Sequence, residues 1–305
     1  MIKTFKILFI LIYIGIFSYL NAYNLKLIQG NFYNKVVLEP LYNKYYKKPL
    51  YKACREKDQE CYSLKLSNFI QKRYVKNALK KRDSKFQLND KYLTQIEFHL
   101  RENKWRLTST QFITTVDLSK QIFSILLWDN KDKTLKPIGF DFIASGAIER
   151  ENEVKLGEDH FLKTPVGFFP IVSGWRSNGK IYKDKYTMPY GKKSRYVFFF
   201  GVQKSVRYNS FIKGKKIKNK KDYKLITDEL NFAIHTHISK KPFGIPASHG
   251  CIRMSHELNV FLDNNLVFFK HLYRNGGWVH PYKKPPKSPK NFELAGEYIL
   301  IIDKI

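Results

Sequence analysis

Short apolar runs separated by polar, glycine- or proline-containing segments fill the chain from Gln111 to its last residues. The runs are rich in β-branched and aromatic residues and have the length of single strands. They read FITTVDL, IFSILLW, IGFDFIA, GFFPI, RYVFFF, NFAIH and EYILII, and the segments between them include DNKDK, TPVG, RSNGK and MPYGKK. In TPVG, Pro165 fixes φ and Gly167 tolerates positive φ, which is typical of a turn. The pattern predicts a mainly β domain over residues 111–305.

Helical patterns flank this domain. Residues 23–110 mix Lys, Tyr and Asn, and an apolar stripe there predicts a helix at Phe69, Ile70, Tyr74, Ala78 and Leu79. This segment is expected to be a basic, partly helical N-terminal region. A second helix is expected after residue 254, because Ser255 is a good N-cap and Glu257 would lie in the first turn. Its apolar stripe is Leu258, Phe261, Leu262 and Phe269.

The first 22 residues resemble a secretory signal. Lys3 and Lys6 precede an apolar run from Ile7 to Leu20, and Ala22 offers a small residue for cleavage. A bilayer core needs about 20 apolar residues, so the run is short for an anchor. We expect residues 1–22 to be a signal peptide and the mature protein to lie in the periplasm or cell envelope. Membrane association is expected only if the segment stays uncleaved.

The charge is strongly basic, with 55 Lys and Arg against 26 Asp and Glu and a formal net charge of +29. Such a surface favours contact with polyanions such as nucleic acid, anionic lipid or a carboxylate-rich cell-wall polymer. The densest stretch, KGKKIKNKKDYK from Lys213 to Lys224, is expected to be a mobile loop between two strands, because its lysines repel one another.

The three cysteines divide into a pair and a single thiol. Cys54 and Cys61 are close in sequence and could form a disulfide in an oxidising compartment. Cys251 is then left over, in the stretch FAIHTHISKKPFGIPASHGCIRMS. A buried small apolar residue is one interpretation of this cysteine, but the adjacent His249 and Gly250 argue against a plain core.

A cysteine attacks as the thiolate, so it needs a group that accepts its proton. His249 is two residues away on the same tight loop, where the backbone tends to direct its ring elsewhere. His235 ends a predicted strand and can approach from a neighbouring element. We therefore expect His235 to act as the general base for Cys251.

The residues around the cysteine suit acyl transfer. Gly250 would allow a sharp turn, so that backbone N–H groups, including that of Cys251, could converge on an oxyanion. Ser248 could hold this loop by hydrogen bonding. Arg253 would suit a carboxylate-bearing substrate, although a structural salt bridge explains it equally well.

Two other interpretations of these residues remain open. His235, His237, His249 and Cys251 could be zinc ligands, since Zn²⁺ prefers N and S donors. They could also be ordinary core residues. We favour catalysis over both, and expect no metal.

The stretch IHTHISKKPFGIPASHGCIRMS resembles the signature of the L,D-transpeptidase (YkuD-type) catalytic domain, in which a strand-ending histidine precedes Ser-His-Gly-Cys and often Ile-Arg-Met. VDLSKQIFSILLWD is similar to the opening strands of that family, TPVG to its Thr-Pro-Thr-Gly turn, and MPYG to a stretch before the histidine in some members. The resemblance runs from about Gln111 to the C-terminus. It implies a mixed β-sandwich.

By this resemblance, Cys251 is the nucleophile, His235 exchanges the proton, and Ser248, His249 and Gly250 shape the oxyanion loop. Tyr190 and Arg253 are candidates for substrate binding. The family usually has Gly after its catalytic histidine, so Thr236 and His237 here depart from the pattern and could line the substrate channel. No cofactor is implied.

The resemblance implies transfer of an acyl group from a peptidoglycan stem tetrapeptide to an amine, with stem peptides and an anionic wall polymer as partners and no nucleic acid. An L,D-carboxypeptidase would use the same acyl-enzyme with water. The alternative from a different functional class is a non-enzymatic protein that binds the cell wall through residues 23–110.

Overall fold

The structure, a computed structural model, describes thirteen stretches of the chain. They are residues 23–55, 58–83, 86–148, 161–182, 185–209, 211–212, 215–217, 219, 222–238, 243–270, 273–274, 277–278 and 292–305. The signal peptide predicted for residues 1–22 therefore lies outside the described residues. No helix within the described stretches has the length and apolarity needed to cross a membrane.

The N-terminal region is helical. Its α-helices are α1 (Leu25–Phe32), α2 (Glu39–Tyr46), α3 (Gln59–Ile70), α4 (Arg73–Asp83) and α5 (Asp90–Leu100). A π-helical segment, Tyr33–Leu38, joins α1 to α2, and 3₁₀ turns lie at Leu50–Ala53 and Arg101–Arg106. Three of the helices begin at side-chain caps, because Asn24, Asp58 and Asn89 each accept a backbone N–H three residues later.

Two features of this region bear on the sequence analysis. The stripe predicted as one helix belongs to two, since α3 ends at Ile70 and α4 begins at Arg73. Cys54 and Cys61 form a disulfide with their Cα atoms 5.9 Å apart. The disulfide joins the 3₁₀ turn Leu50–Ala53 to the first turn of α3.

Two mixed β-sheets are the main elements of the described residues that follow the N-terminal helices. The five-stranded sheet has the order β3, β2, β1, β13, β4, and the four-stranded sheet the order β10, β9, β6, β5. The strands of the first sheet are β1 (Gln111–Asp117), β2 (Ile122–Asp129), β3 (Thr134–Phe142), β4 (Gly167–Pro170) and β13 (Tyr298–Ile302). Those of the second are β5 (Ser173–Arg176), β6 (Tyr196–Asn209), β9 (Lys224–Thr236) and β10 (Ile252–Met254). The prediction of a mainly β domain with flanking helices is confirmed.

Each sheet contains one parallel pair. β13, the predicted closing strand, lies between β1 and β4 and runs parallel to β1. β10 runs parallel to the end of β9. All other pairs of strands within these two sheets are antiparallel. The short β10, which follows Gly250 and Cys251, therefore lies alongside His235 at the end of β9.

One apolar core joins the two sheets. Phe112 and Phe123 of the first sheet belong to the same buried cluster as Phe198 and Ile234 of the second. Helix α6 (His256–Asn264), capped by Ser255 as predicted, adds Leu258, Phe261 and Leu262 to it. Phe269, predicted on the same helix, lies beyond its end but is fully buried in the core. The opposite face of the five-stranded sheet packs on α5.

The basic insertion contains more strand than the sequence predicts. Lys224 belongs to β9, and the two-residue strands β7 (Phe211–Ile212) and β8 (Lys215–Lys216) pair with each other. Part of the expected loop is thus a hairpin; residues 213–214, 218 and 220–221 lie outside the described part of the chain. Two more short strands, β11 (Tyr273–Arg274) and β12 (Gly277–Trp278), pair further along.

The first helix of the N-terminal region packs into the core of the β domain. Phe32 is buried and meets the ring of Phe261 on α6 edge-to-face, with centroids 5.2 Å apart. Gln29 donates a hydrogen bond to the Pro137 carbonyl on β3. The β domain therefore depends on this helix to cover its apolar surface.

We expect Phe32→Ala to lower the free energy of unfolding of the whole chain by about 3–5 kcal/mol, because it leaves a cavity in the shared core. Denaturant unfolding followed by tryptophan fluorescence measures this loss. Phe98→Ala is the matched control: Phe98 lies on α5 but is 58% exposed, and its truncation should cost less than about 1 kcal/mol. Equal losses in the two variants would contradict the shared core.

Candidate active site

The register of β9 and β10 brings the predicted nucleophile next to the strand end that carries the predicted base. Arg253 is the Cα partner of His235, and Ile252 is the partner of Ile234. Cys251, one residue earlier, therefore lies beside Ala233. Since alternate residues of a strand share a face, Ala233 and His235 point the same way, and the sulfur of Cys251 accepts a hydrogen bond from the Ala233 backbone. Cys251, the residue before β10, therefore lies diagonally across from His235 of β9.

His235 is held in a defined orientation. Its ring is 5% exposed, and its Nδ1 lies 2.9 Å from the carbonyl oxygen of Thr236. Because a carbonyl can only accept, Nδ1 carries the proton and Nε2 keeps its lone pair. This is the tautomer that a general base requires.

The protein around His235 disfavours its charged form. Burial lowers the pKa of His235 to about 3; hydrogen bonds to the Thr236 and Pro189 backbone oppose this shift, and the positive charge of Arg253 adds to it. The imidazole is therefore neutral at physiological pH.

Cys251 is the free cysteine of the described residues and is partly exposed. Burial of the sulfur raises the pKa of the thiol, while a hydrogen bond from the Ala233 backbone and the charge of Arg253 act to lower it. Thiol and imidazole are thus both neutral at rest. This arrangement favours proton transfer during attack over a preformed thiolate-imidazolium pair.

The loop before Cys251 is closed by one hydroxyl. Ser248 is fully buried; its Oγ accepts the Gly250 N–H at 3.1 Å and donates to the Cys251 carbonyl oxygen. Gly250 has φ of +137°, and a Cβ there would lie 2.8 Å from the ring of Phe232. Only glycine fits this position without strain. Because Ser248 occupies the Gly250 N–H, that group is not available to an oxyanion, and the Cys251 N–H stays the predicted donor.

Thr164 is a positioning residue that was not predicted from the sequence. Its buried hydroxyl donates to the Gly250 carbonyl oxygen at 2.6 Å and accepts the Gly146 N–H at 2.8 Å. The sequence reveals Thr164 only as part of the TPVG turn. Its partners lie far away in the chain, so their contact depends on the tertiary fold.

Two further side chains hold the loop from the other side. The His249 ring stacks on Phe161, with centroids 4.2 Å apart, and its Nδ1 lies 3.3 Å from the Arg253 guanidinium. Arg253 also donates to the Ala247 carbonyl oxygen at 3.0 Å. His249 is therefore engaged in shaping the loop, and Arg253 contacts both the loop and the face that carries His235.

The other predicted substrate residues are placed differently. Tyr190 is 40% exposed, with its ring 5.0 Å from that of His235 and 5.1 Å from that of Trp175. His237 follows the end of β9, and its Nδ1 lies 3.2 Å from the Pro189 carbonyl oxygen. Tyr190 thus borders the site, and His237 binds the segment that carries Tyr190.

Thr236 is not brought to the substrate face. It is buried, and its side chain faces Gly191, where φ is +71° and a Cβ would lie 2.0 Å from the Thr236 hydroxyl. Glycine at position 191 makes room for the side chain that departs from the family pattern. The Thr236 backbone carbonyl, not its side chain, serves the site by orienting His235.

The zinc interpretation finds no support in this geometry. In the part of the chain that the structure describes, no three His, Cys, Asp or Glu side chains are grouped so as to hold a metal ion. His249 is stacked on Phe161 and His237 binds a backbone carbonyl, so the four proposed ligands do not converge.

A family model described as the L,D-transpeptidase catalytic domain (YkuD) matches residues 111–267, which is 157 of the 305 residues. A comparison with curated proteins finds no match.

Solved structures share only low similarity with the chain. Bd1075 of Bdellovibrio bacteriovorus is 13% identical with a TM-score of 0.32, and the match covers 65% of this chain and 50% of that one. An L,D-transpeptidase from Mycobacterium smegmatis is 12% identical with a TM-score of 0.26, covering 63% and 59%. L,D-transpeptidase 3 from Mycobacterium tuberculosis is 13% identical with a TM-score of 0.24, covering 64% and 62%. The chain thus matches less than two thirds of each of these structures, and its activity must be argued from its own residues.

We expect Thr164→Val to lower the free energy of unfolding by about 1–3 kcal/mol, because it leaves the partly buried Gly146 N–H without its hydrogen-bond partner at nearly constant volume. It should also change the rate at which iodoacetamide alkylates Cys251, since the Gly250 carbonyl is released. Thr164→Ser keeps the hydroxyl and is the matched control. If the Val and Ser variants behave alike, the hydroxyl does not hold the loop.

Proposed function

Because the chain belongs to the L,D-transpeptidase (YkuD) catalytic domain family, we propose that it is a peptidoglycan-modifying cysteine acyltransferase acting on stem tetrapeptides. The observation that carries the proposal is the pairing of β10, which directly follows Cys251, with the strand end that carries His235, whose Nδ1 lies against the Thr236 carbonyl oxygen. The loop around Ser248 and Gly250 supports it, because this loop fixes the backbone that leads into the thiol.

Acylation follows from these positions. His235 Nε2 accepts the thiol proton as Cys251 Sγ attacks the carbonyl carbon of the L,D-amide after the third stem residue. The Cys251 N–H is positioned to stabilise the resulting oxyanion. Collapse breaks the C–N bond, the His235 proton passes to the leaving amine, and terminal D-alanine departs. The product is a thioester on Cys251.

In deacylation, His235 again accepts a proton and then returns it. An amine of a second stem peptide gives up a proton to His235 as it attacks the thioester carbon, and the thiolate leaves and recovers that proton. The result is a new amide and a free thiol. The same thioester attacked by water would give a tripeptide, the L,D-carboxypeptidase outcome.

Charge and compartment support a cell-wall substrate. Stem peptides carry free carboxylates, and Arg253 is the Cα partner of His235 in a chain of net charge +29. The Cys54–Cys61 disulfide suits an oxidising compartment, in agreement with an exported protein of the periplasm or cell envelope. An anionic wall polymer remains a proposed partner.

Purified disaccharide tetrapeptides test the reaction. We expect cross-linked dimers and released D-alanine, detected by mass spectrometry, and no product from Cys251→Ala because the thioester cannot form. Tripeptide without dimers would identify a carboxypeptidase in place of a transpeptidase. If Cys251→Ala retained the full biological effect, the protein would be a non-enzymatic wall-binding protein.

A carbapenem reports acylation alone, since its strained ring acylates the thiol without a second substrate. We expect the adduct mass on Cys251, and its rate should fall by about 10²- to 10⁴-fold in His235→Ala, which removes the base. His249→Ala is the comparison, and its loss should be much smaller because His249 only shapes the loop. Equal losses in the two variants, or an adduct that persists in Cys251→Ala, would contradict the assignment.

The same assay gives the pH dependence. With the pKa of His235 at about 3, the base stays neutral between pH 5 and pH 7, and acylation should be nearly constant there. A histidine at its ordinary pKa would lose roughly 25-fold in its neutral fraction over this range. A loss of that size in the wild-type chain would show that His235 is not held neutral.

A further inference from the structure

A groove of about 960 Å³ lies between the N-terminal helices and the β domain. One wall comes from α2 and α4, with Lys44, Tyr45, Tyr74 and Lys81 among its residues. The other comes from the β domain and consists of Lys120, Ile122, Phe142 and residues 243–245. The groove therefore exists only because the N-terminal region is packed against the domain that carries Cys251.

The groove is electropositive. Four of its lining side chains are cationic, and none of the described residues that line it is acidic. Arg82 is 3.8 Å from Asp141 and Lys120 is 2.8 Å from Asp117, so these two cations are partly compensated. Lys44 and Lys81 are exposed on the helical wall, and both also interact with neighbouring protein groups; the Lys44 ammonium lies 5.5 Å from the centroid of the Tyr45 ring. An anionic ligand would be attracted to this wall.

The groove also offers apolar surface. The Tyr45 and Tyr74 rings lie 4.4 Å apart, and Tyr45 is 42% exposed. Ile245, on the opposite wall, is 44% exposed. Two exposed lysines beside such surfaces suit a peptide with a few carboxylates better than a nucleic acid, whose binding needs many phosphate contacts.

The β-domain wall is continuous with the catalytic loop. Gly244 donates to the Ile143 carbonyl oxygen at 2.8 Å, and Ala247 and Ser248 both donate to the Ser145 carbonyl oxygen. Ile245 precedes Ser248 by three residues in the same segment. A ligand in the groove would thus contact the segment that leads directly to Cys251.

We propose that this groove binds a carboxylate-bearing peptide portion of the wall polymer, away from the bond that reacts at Cys251. The inference rests on the proposed function for the identity of the polymer. The N-terminal helices then supply one wall of a substrate site, and Lys44 and Lys81 supply charge for the carboxylates.

The double variant Lys44→Gln with Lys81→Gln tests the groove. The quantity to measure is the rate of tetrapeptide turnover divided by the rate of carbapenem acylation, because the carbapenem carries no stem peptide that the groove could bind. We expect this ratio to fall about fivefold at low salt, the effect of two exposed charge contacts, and to fall less at high salt. Lys48→Gln with Lys76→Gln is the matched control: both lysines are exposed, lie beside the same helical elements, and do not line the groove.

Two outcomes would overturn the inference. One is an equal fall in the control variant, which would assign the effect to net charge. The other is a ratio within about twofold of wild type in the groove variant.

Pelleting of Cys251→Ala with insoluble peptidoglycan, with and without the groove substitutions, gives a readout that needs no catalysis. If only the groove variant sediments less, the groove binds the polymer, whether or not the chain forms a thioester. Failure to form a thioester would contradict the proposed function and leave the groove inference intact.

Discussion

The parallel pairing of β10 with the end of β9 is the constraint on which the site depends. Only three residues of β10 are paired, yet their register places Arg253 opposite His235 and leaves Cys251 one step before the strand. A shift of one residue would turn the thiol to the opposite face. The Ser248 and Thr164 hydroxyls hold the loop that enters this strand, so register and loop geometry are fixed together.

Burial then sets the chemistry. Burial lowers the pKa of the His235 imidazole and raises the pKa of the Cys251 thiol, so both groups rest in their neutral forms. In the proposed reaction, charge would separate only as the substrate carbonyl develops its negative charge. The Thr236 carbonyl oxygen orients His235. The Thr236 side chain does not disturb this carbonyl, because Gly191 has no Cβ and leaves space for the side chain.

The N-terminal helices are part of the same folded unit. Phe32 completes the core beneath α6, and α2 and α4 form one wall of the basic groove. Arg82 on α4 also approaches Asp141 on β3, which accepts a hydrogen bond from Ser255, the N-cap of α6. Helices that carry no catalytic motif are thereby joined to the strand and helix that follow Cys251. Their amphipathic stripes predicted helices, but not which surface those helices would cover.

The sequence by itself predicted the strands, the cap at Ser255 and the disulfide candidates, and it suggested the pair Cys251 and His235, because period, capping chemistry and reactive residue types are local properties. Tertiary structure decided that Thr164 reaches Gly250, that Thr236 turns its side chain away from the site, and that Arg253 binds the loop. It also decided that the stripe across residues 69–79 breaks into two helices. These outcomes depend on contacts between segments distant in the chain, and the free energy of such contacts is set by packing and burial, which no local pattern of residues contains.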